Sequence, residues 1–400
     1  MINNIRMGAN PKNKKIQYLF VFTACYSVAI QAFLMVESVY SILRYILYAL
    51  MMLILFSLFI TKQIRLKNNI IIGIIVIAYI SLLIGLSYSI IFGTHITIES
   101  TLLVPLLLII IGYNVNLHIK NKRWLIYCYA TLTSLVGWYI ILNFGSGLTL
   151  SGQYFLAQKN QIGAILGVSI ALLLYILFSQ KGIISEKVVP ILFTIILLVM
   201  NLVPLFLLRN RTTMLAIMVC LVLVIIKMFF NAGTKKSAKV LIVLSGLLML
   251  FSANTIIDFI YEAFFLNTNM NDMNSISGDR FDVYVITIEF LKDNLWFGQM
   301  GTESSIFDPH NFLLYNLYKK GFFLSLGYII IYFLFLGKIV RSWITVRLVD
   351  LSISDYLLII SFITSISEYQ QPFGPGTTQL LAWFFMGNEL RNGKRNEEKN

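Results

Sequence analysis

The sequence predicts an all-α, polytopic integral membrane protein of about 12 transmembrane helices, with one large extracytoplasmic loop, on three observations. The composition is 58% hydrophobic and only 12% charged, where a soluble domain carries about 25% charged residues. Apolar runs of about 18–22 residues recur along the chain, each long enough as helix to cross a hydrocarbon core of about 30 Å. The ten-residue alternating segments of a membrane β-barrel do not occur. Lys and Arg gather in short clusters that fall on every second connection between these runs.

In order, the apolar runs place spans near 17–36, 41–60, 70–92, 99–116, 125–144, 161–179, 188–208, 212–230, 240–257, 322–340, 356–369 and 377–390. The last two are short and flanked by polar residues. The first run is span-length and lacks a small-residue cleavage site, so it reads as a helix rather than a cleaved leader. Pro105 and Pro204 fall inside the fourth and seventh spans, where they could break the helix. Cys25, Cys128 and Cys220 all lie in spans and read as inert packing residues. No internal repeat or Gly/Ser-rich linker divides the chain, which is expected to form one integral domain over 1–400.

Charge sets the expected orientation. Arg6 with Lys12–Lys15, Lys62–Lys67, Lys120–Arg123, Lys181 with Lys187, Lys227–Lys239, Lys338–Arg347 and Arg391–Lys399 hold most of the 31 cations. Under the positive-inside rule these connections, and both termini, are cytoplasmic. The net charge of +13 is thereby a matter of topology, and no nucleic-acid partner is implied. The polar stretch from Asp258 to Lys320 then becomes the large outer loop.

Against this background a few cations stand on the wrong side. Arg209-Asn210-Arg211 joins two spans in a tight hairpin and holds two guanidinium groups at the outer surface. Arg at a helix centre is disfavoured by roughly 2.5–3.5 kcal/mol, and by less near the interface. Two readings follow: snorkelling into lipid phosphates, or a site for an anionic ligand, since Arg binds phosphate through two parallel donors. Within the loop, Asp279 to Asp293 reads as an interfacial helix ending at Trp296-Phe297-Gly298. Arg280 sits at its start, where a cation opposes the helix dipole and calls for a carboxylate or phosphate partner.

Further on, Asp308-Pro309-His310-Asn311 precedes a new helix, which Asp308 or Asn311 would cap. His310 is the only histidine of the long loop; His118 falls in an inner loop and His95 in a short outer one. One reading is an incidental histidine at a helix start. The other is a neutral imidazole able to take a proton from a sugar hydroxyl near pH 7. No DxD pair, HxxxH or cysteine cluster marks a metal site on the outer side, and no P-loop or GxGxxG marks a nucleotide cofactor. Neither a metal nor a cofactor is expected.

Several of these pieces together resemble the O-antigen ligase/polymerase superfamily of bacterial membrane glycosyltransferases. His310-Asn311, nine residues and Gly321 is similar to the motif that closes that family's large outer loop, although Leu324 stands where Gly, Thr or Tyr is common. Arg209-Asn210-Arg211-Thr212-Thr213 resembles its arginine followed by small residues. Ser277-Gly278-Asp279-Arg280 looks like its Ser-Gly-Arg element with one Asp inserted, and Lys159-Asn160-Gln161-Ile162-Gly163 like a further recurring segment.

The resemblance implies a fold similar to lipid-carrier (GT-C-like) glycosyltransferases. It implies metal-independent transfer of a glycan from undecaprenyl pyrophosphate on the outer face of the bacterial cytoplasmic membrane. His310, Arg280 and Arg211 would be catalytic. Arg209, Asn311, Lys159, Asn160 and Asp279 would bind substrate. The expected partners are the undecaprenyl-pyrophosphate-linked glycan and the bilayer, with a chain-length regulator as a further candidate. A polymerase of O-antigen or capsule repeat units is the first expectation. A ligase moving finished polymer onto lipid A–core shares the motif, and a repeat-unit flippase of about twelve spans is the rival from another class.

Overall fold

The computed structural model describes residues 11–34, 36–64, 69–92, 100–115, 117–144, 159–178, 188–230, 258, 261, 271–277, 280–299, 308–369, 371–373 and 377–397. Among these residues the chain is helical throughout, with no strand. In chain order the helices are α1 (Pro11–Ala29, extended by a 3-10 turn Ile30–Phe33), α2 (Glu37–Ile60), α3 (Asn69–Phe92), α4 (Ser100–Asn114), α5 (Ile119–Phe144) and α6 (Lys159–Phe178). They continue with α7 (Val188–Leu207), α8 (Arg211–Phe230), α9 (Met273–Ser277), α10 (Phe281–Asn294), α11 (Phe312–Thr345), α12 (Ile353–Thr364) and α13 (Thr377–Glu397). Seven of the described helices are long and apolar enough to cross a membrane, and α3, α4 and α12 contain shorter apolar stretches. The protein is therefore a membrane-embedded helical bundle. The predicted span at 240–257 lies outside the described residues.

Two classes of helix build the bundle. α2, α7 and α8 turn bulky apolar side chains outward, among them Phe56, Phe59, Leu192, Ile196, Leu215 and Met218, as lipid-facing helices do. α6, α12 and most of α13 are instead buried almost all round. A helix apolar on every face belongs in the interior, and here these three form the centre, with Phe384, Trp383 and Tyr356 fully enclosed.

Three features depart from the sequence expectation. α12 stops at Thr364, five residues before the predicted end of its span. Thr364 Oγ1 and Ser365 Oγ turn back onto the carbonyls of Ser361 and Phe362 at 2.9 and 2.6 Å, a local bonding that competes with helix continuation. With 12 residues, α12 rises only about 18 Å, so the non-helical backbone after it starts inside the bundle. Such backbone is tolerated at that depth when protein surrounds it. Pro105 and Pro204 break nothing: α4 and α7 run through them, and the Pro204 ring packs against Gly137.

The third departure is the largest. α11 is two limbs joined at Gly321, whose backbone (φ 68°, ψ −179°) is not helical. Phe312 and Tyr332 would stand about 30 Å apart on a straight helix. Their rings instead stack at 5.3 Å, so the limb 312–320 folds back beside the limb 322–345. Tyr332 lies about 16 Å along the second limb from Gly321. The chain before Phe312 is thus carried down into the bundle rather than left at its tip.

Polar residues divide between the two ends. At the end away from His310, Lys338 pairs with Glu389, and Lys227 donates to the Val346 carbonyl. Ser352 and Asp355 form a capping box on α12, and Asn121 Nδ2 donates to Gln17 Oε1 at 2.7 Å. These residues come from connections that the charge pattern groups on one side.

Candidate functional site

The site begins at the α7–α8 hairpin. Helix α7 ends at Leu207, and Arg209 turns the chain in the left-handed region with φ 51°, its N–H donating to the Phe206 carbonyl at 2.9 Å. Asn210 then caps α8: its Oδ1 accepts from the Thr213 N–H at 2.9 Å. The buried Asn210 side chain also donates to Asn160 Oδ1 at 3.4 Å, and it lies in the space that Gly163 leaves by having no side chain. The segments beginning at Lys159 and at Arg209 therefore meet through Asn160, Gly163 and Asn210. Lys159 is the first residue of α6, and its side chain lies outside the described ones.

Asn210→Ala should remove the cap and the Asn160 contact together. Loss of an N-cap costs about 1 kcal/mol, so thermal unfolding in detergent should move down measurably. An unchanged transition would show that another group caps α8.

The second contribution comes from α10. Its start is capped by Ser277 Oγ, which accepts from the N–H groups of Arg280 and Phe281 at 3.2 and 3.0 Å. Arg280 has the carboxylate partner that its position requires: Nη2 lies 3.1 Å from Glu368 Oε1, with both side chains about four-fifths buried. Arg280 also lies within electrostatic range of Arg211, as does Arg209. Asp279 lies outside the described residues.

The third contribution is the start of α11. Asn311 is its cap, with Oδ1 accepting from the Leu314 N–H at 3.0 Å. Asn311 is therefore a structural residue first: its Nδ2 also donates to the Ile366 carbonyl at 3.0 Å. Phe312 N–H donates to the Ser365 carbonyl at 3.0 Å, and the Tyr284 hydroxyl to the His310 carbonyl at 3.1 Å. His310 is held by its backbone from two sides.

Its ring remains available. His310 Nδ1 is buried and has no hydrogen-bond partner among the described residues, and the ring packs on Tyr369 at 5.9 Å between centroids. Burial, and then the nearby Arg280 cation, push the imidazole pKa below its ordinary value of 6.5, against a smaller upward pull from Asp308. Asp308 itself pairs with Lys319 at 2.7 Å. His310 is thus neutral at pH 7, the form that can accept a proton.

Gly321 sets the height of this assembly. Carbonyls of Leu295 and Trp296, just past α10, accept from the N–H groups of Phe322 and Phe323 at 2.8 and 3.3 Å, and Gln299 N–H donates to the Tyr318 carbonyl at 2.6 Å. A Cβ on Gly321 would run into the Phe297 backbone. The α10 segment, the helix expected near 279–293, therefore docks by main chain on the break in α11, and α10 keeps Arg280 and Tyr284 beside His310.

Arg209, Arg211, Arg280 and His310 come together, with Asn160 linked through Asn210. The sequence reading did not single out Glu368, Tyr284, Tyr369 or the Ser367 and Thr212 hydroxyls, which lie 2.9 Å apart and tie the chain after α12 to the hairpin. The signal for Glu368 is its place as the lone carboxylate within the predicted span 356–369. Among the described residues no group of His, Cys, Asp and Glu side chains could hold a metal ion. Arg211 within electrostatic range of Arg209 and of Arg280, the last paired with Glu368, makes a cationic cluster near the neutral His310 imidazole. Its chemistry suits a multiply charged anion beside a hydroxyl that must lose a proton.

Comparison with known proteins identifies no relative: no protein-family model, curated protein or solved structure matches this chain.

Proposed function

We propose that the protein is a membrane glycosyltransferase that joins undecaprenyl-pyrophosphate-linked repeat units into O-antigen or capsular polysaccharide. The observation that carries this reading is the meeting of Arg209, Arg211, Arg280 and a neutral His310 from three distant segments. In the proposed topology the chain has about twelve spans with both termini in the cytoplasm, and the site opens to the outer face of the bacterial cytoplasmic membrane.

In this reaction the acceptor hydroxyl attacks the anomeric carbon of the donor glycan. A new C–O bond forms, the bond to pyrophosphate breaks, and the carrier pyrophosphate departs with the electron pair. His310 takes the hydroxyl proton as general base. The arginines hold the pyrophosphate and stabilise the charge that develops on it, which is what a metal ion does elsewhere. Before the donor arrives, Glu368 occupies Arg280 and offsets part of the buried charge. The apolar helix faces suit the polyprenyl tail.

Purified protein incubated with carrier-linked repeat unit, extracted from a strain lacking this chain, should give a ladder of longer glycans. Absence of any extension by active-folded protein sinks the reading. Transfer of finished polymer to lipid A–core, with no ladder, would move the assignment to a ligase. The Arg209→Ala/Arg211→Ala double variant should lose most activity. Lys at either position should rescue poorly, because an ammonium lacks the planar fork that binds phosphate through two parallel donors. Full activity of the double Ala variant would mean that the pair only snorkels.

A further inference from the structure

Arg44 stands where a cation is costly. It lies seven residues into α2, a helix long and apolar enough to cross a membrane, and so about 10 Å from the helix start. Ionisable residues inside a span are rare and take a partner, which makes them markers of function. Among the described residues no ion pair involves Arg44. Its Nε is buried and has no hydrogen-bond partner there, although the residue as a whole is only half-buried. Snorkelling alone would carry the guanidinium out to the interface and leave no donor buried.

Tyrosine hydroxyls accompany this cation. Tyr40, Arg44 and Tyr48 follow at four-residue steps and share one face of α2. Arg44, Tyr40 and Tyr45 all lie within electrostatic range of the Tyr48 hydroxyl. The Tyr40 oxygen accepts from Gln161 Nε2 at 2.7 Å and from Gln31 Nε2 at 3.4 Å, which leaves its own proton to donate. Helix side chains tilt toward the helix N-terminus, so Arg44 and Tyr48 reach toward the end where Tyr40 meets Gln161. Next to Gln161, Asn160 accepts from Asn210 of the arginine hairpin, so this is the end of the bundle that carries the candidate site. Beside the stripe, Ile42, Tyr45 and Ile46 are exposed, which leaves that flank of α2 open to lipid.

We propose that Arg44, with the hydroxyls of Tyr40 and Tyr48, binds the phosphate of a membrane lipid on this flank. A guanidinium offers phosphate two parallel donors, and the phenolic hydroxyls donate to the oxygens that remain. The hydrocarbon chain then lies along Ile42 and Ile46. Phosphate is the anion that phospholipids and polyprenyl carriers share, and it supplies the counter-charge that the described residues do not. The inference is independent of the reaction proposed above, no step of which uses Arg44.

The test uses the full-length Arg209→Ala/Arg211→Ala protein in maltoside detergent, so that the hairpin arginines bind no phosphate. Four probes are titrated: phosphatidylglycerol, undecaprenyl phosphate, diacylglycerol as a lipid without phosphate, and inorganic phosphate as the anion without a lipid. At least one of the first two should bind, and the tighter names the source. Adding Arg44→Gln should weaken that binding about tenfold or more, the scale of a lost charge-assisted contact. Arg44→Lys should recover only part of the affinity, and Tyr48→Phe, which keeps the ring, should cost about threefold. Diacylglycerol binding should respond to none of these changes. Phosphate-lipid binding that Arg44→Gln leaves unchanged would overturn the proposal, as would no binding of either lipid by the parent protein. An equal loss of diacylglycerol binding would reduce the flank to an apolar contact, and inorganic phosphate bound as tightly as the lipids would make it an ion site; either overturns the lipid assignment. Should Arg44→Gln fail to fold, Arg44→Lys and Tyr48→Phe make the same comparison. Arg44-dependent lipid binding by a protein that makes no glycan ladder would keep this site and sink the polymerase reading instead.

Discussion

On the proposed polymerase reading, His310→Ala should leave single carrier-linked repeat units in place of long chains, with the protein level in the membrane unchanged. A positioned general base contributes about 10²–10⁴-fold in rate, so kcat should fall by that order while the donor still binds. The protein should remain folded because its neighbours hold His310 through the backbone: Tyr284 bonds its carbonyl, and Asn311 and Phe312 anchor the residues after it. Normal chain length in this variant, at a normal protein level, would remove His310 from the chemistry. The pH dependence gives a second check. Burial and Arg280 lower the imidazole pKa below 6.5, so the neutral base persists to lower pH than a free histidine would allow. The acid limb of kcat/KM should therefore lie below pH 6.5. Arg280→Gln removes one of the two causes, so that limb should move up in pH as well as losing amplitude. A limb that stays in place would mean that another group titrates.

Gly321→Ala should be the most damaging substitution for the fold. The φ and ψ of this residue lie in a region open essentially to glycine alone, where other residues pay of order 1–3 kcal/mol. The new methyl group would also meet the Phe297 backbone, which cannot move without breaking the bonds from Phe322 and Phe323 to Leu295 and Trp296. Each such bond is worth about 0.5–1.5 kcal/mol, and domains have only about 5–15 kcal/mol in all. The expected result is low protein yield, with any remaining protein cut by protease between 281 and 299. Gly337→Ala is the control. It lies in the second limb of α11 with open space around it, so alanine there should be neutral or slightly stabilising. Equal behaviour of the two variants would show that the docking of α10 on Gly321 contributes little.

Much of this arrangement is legible in the residues themselves. Apolar run length gives the helices, and the Arg209-Asn210-Arg211 hairpin is marked by two charges between two apolar stretches. Asp308 or Asn311 reads as a cap from its place before FLLY, and Arg280 reads as a cation in want of a carboxylate or phosphate. What stayed hidden was the partner. Hydropathy carries α12 on to 369, which buries Glu368 in an imagined helix; the helix actually ends at Thr364, where side-chain hydroxyls take over the carbonyls. The reversal at Gly321 was equally hidden. FLLYNLYKK and FFLSLGYII are both good helix sequences, and nothing in their periodicity states that one lies back against the other. Only the ring of Phe312 on Tyr332 does.

The doubled helix also works as a ruler. His310 is pinned at one end of the short limb and Gly321 at the other, with ten residues between them. One residue added within that limb would turn the imidazole by about 100° and shift it by about 1.5 Å, pointing it away from the arginines. One residue added before Asp308 would do neither, because the register is measured backward from the glycine. The position of His310 in this chain is thus counted from the long limb of α11 outward, through Gly321.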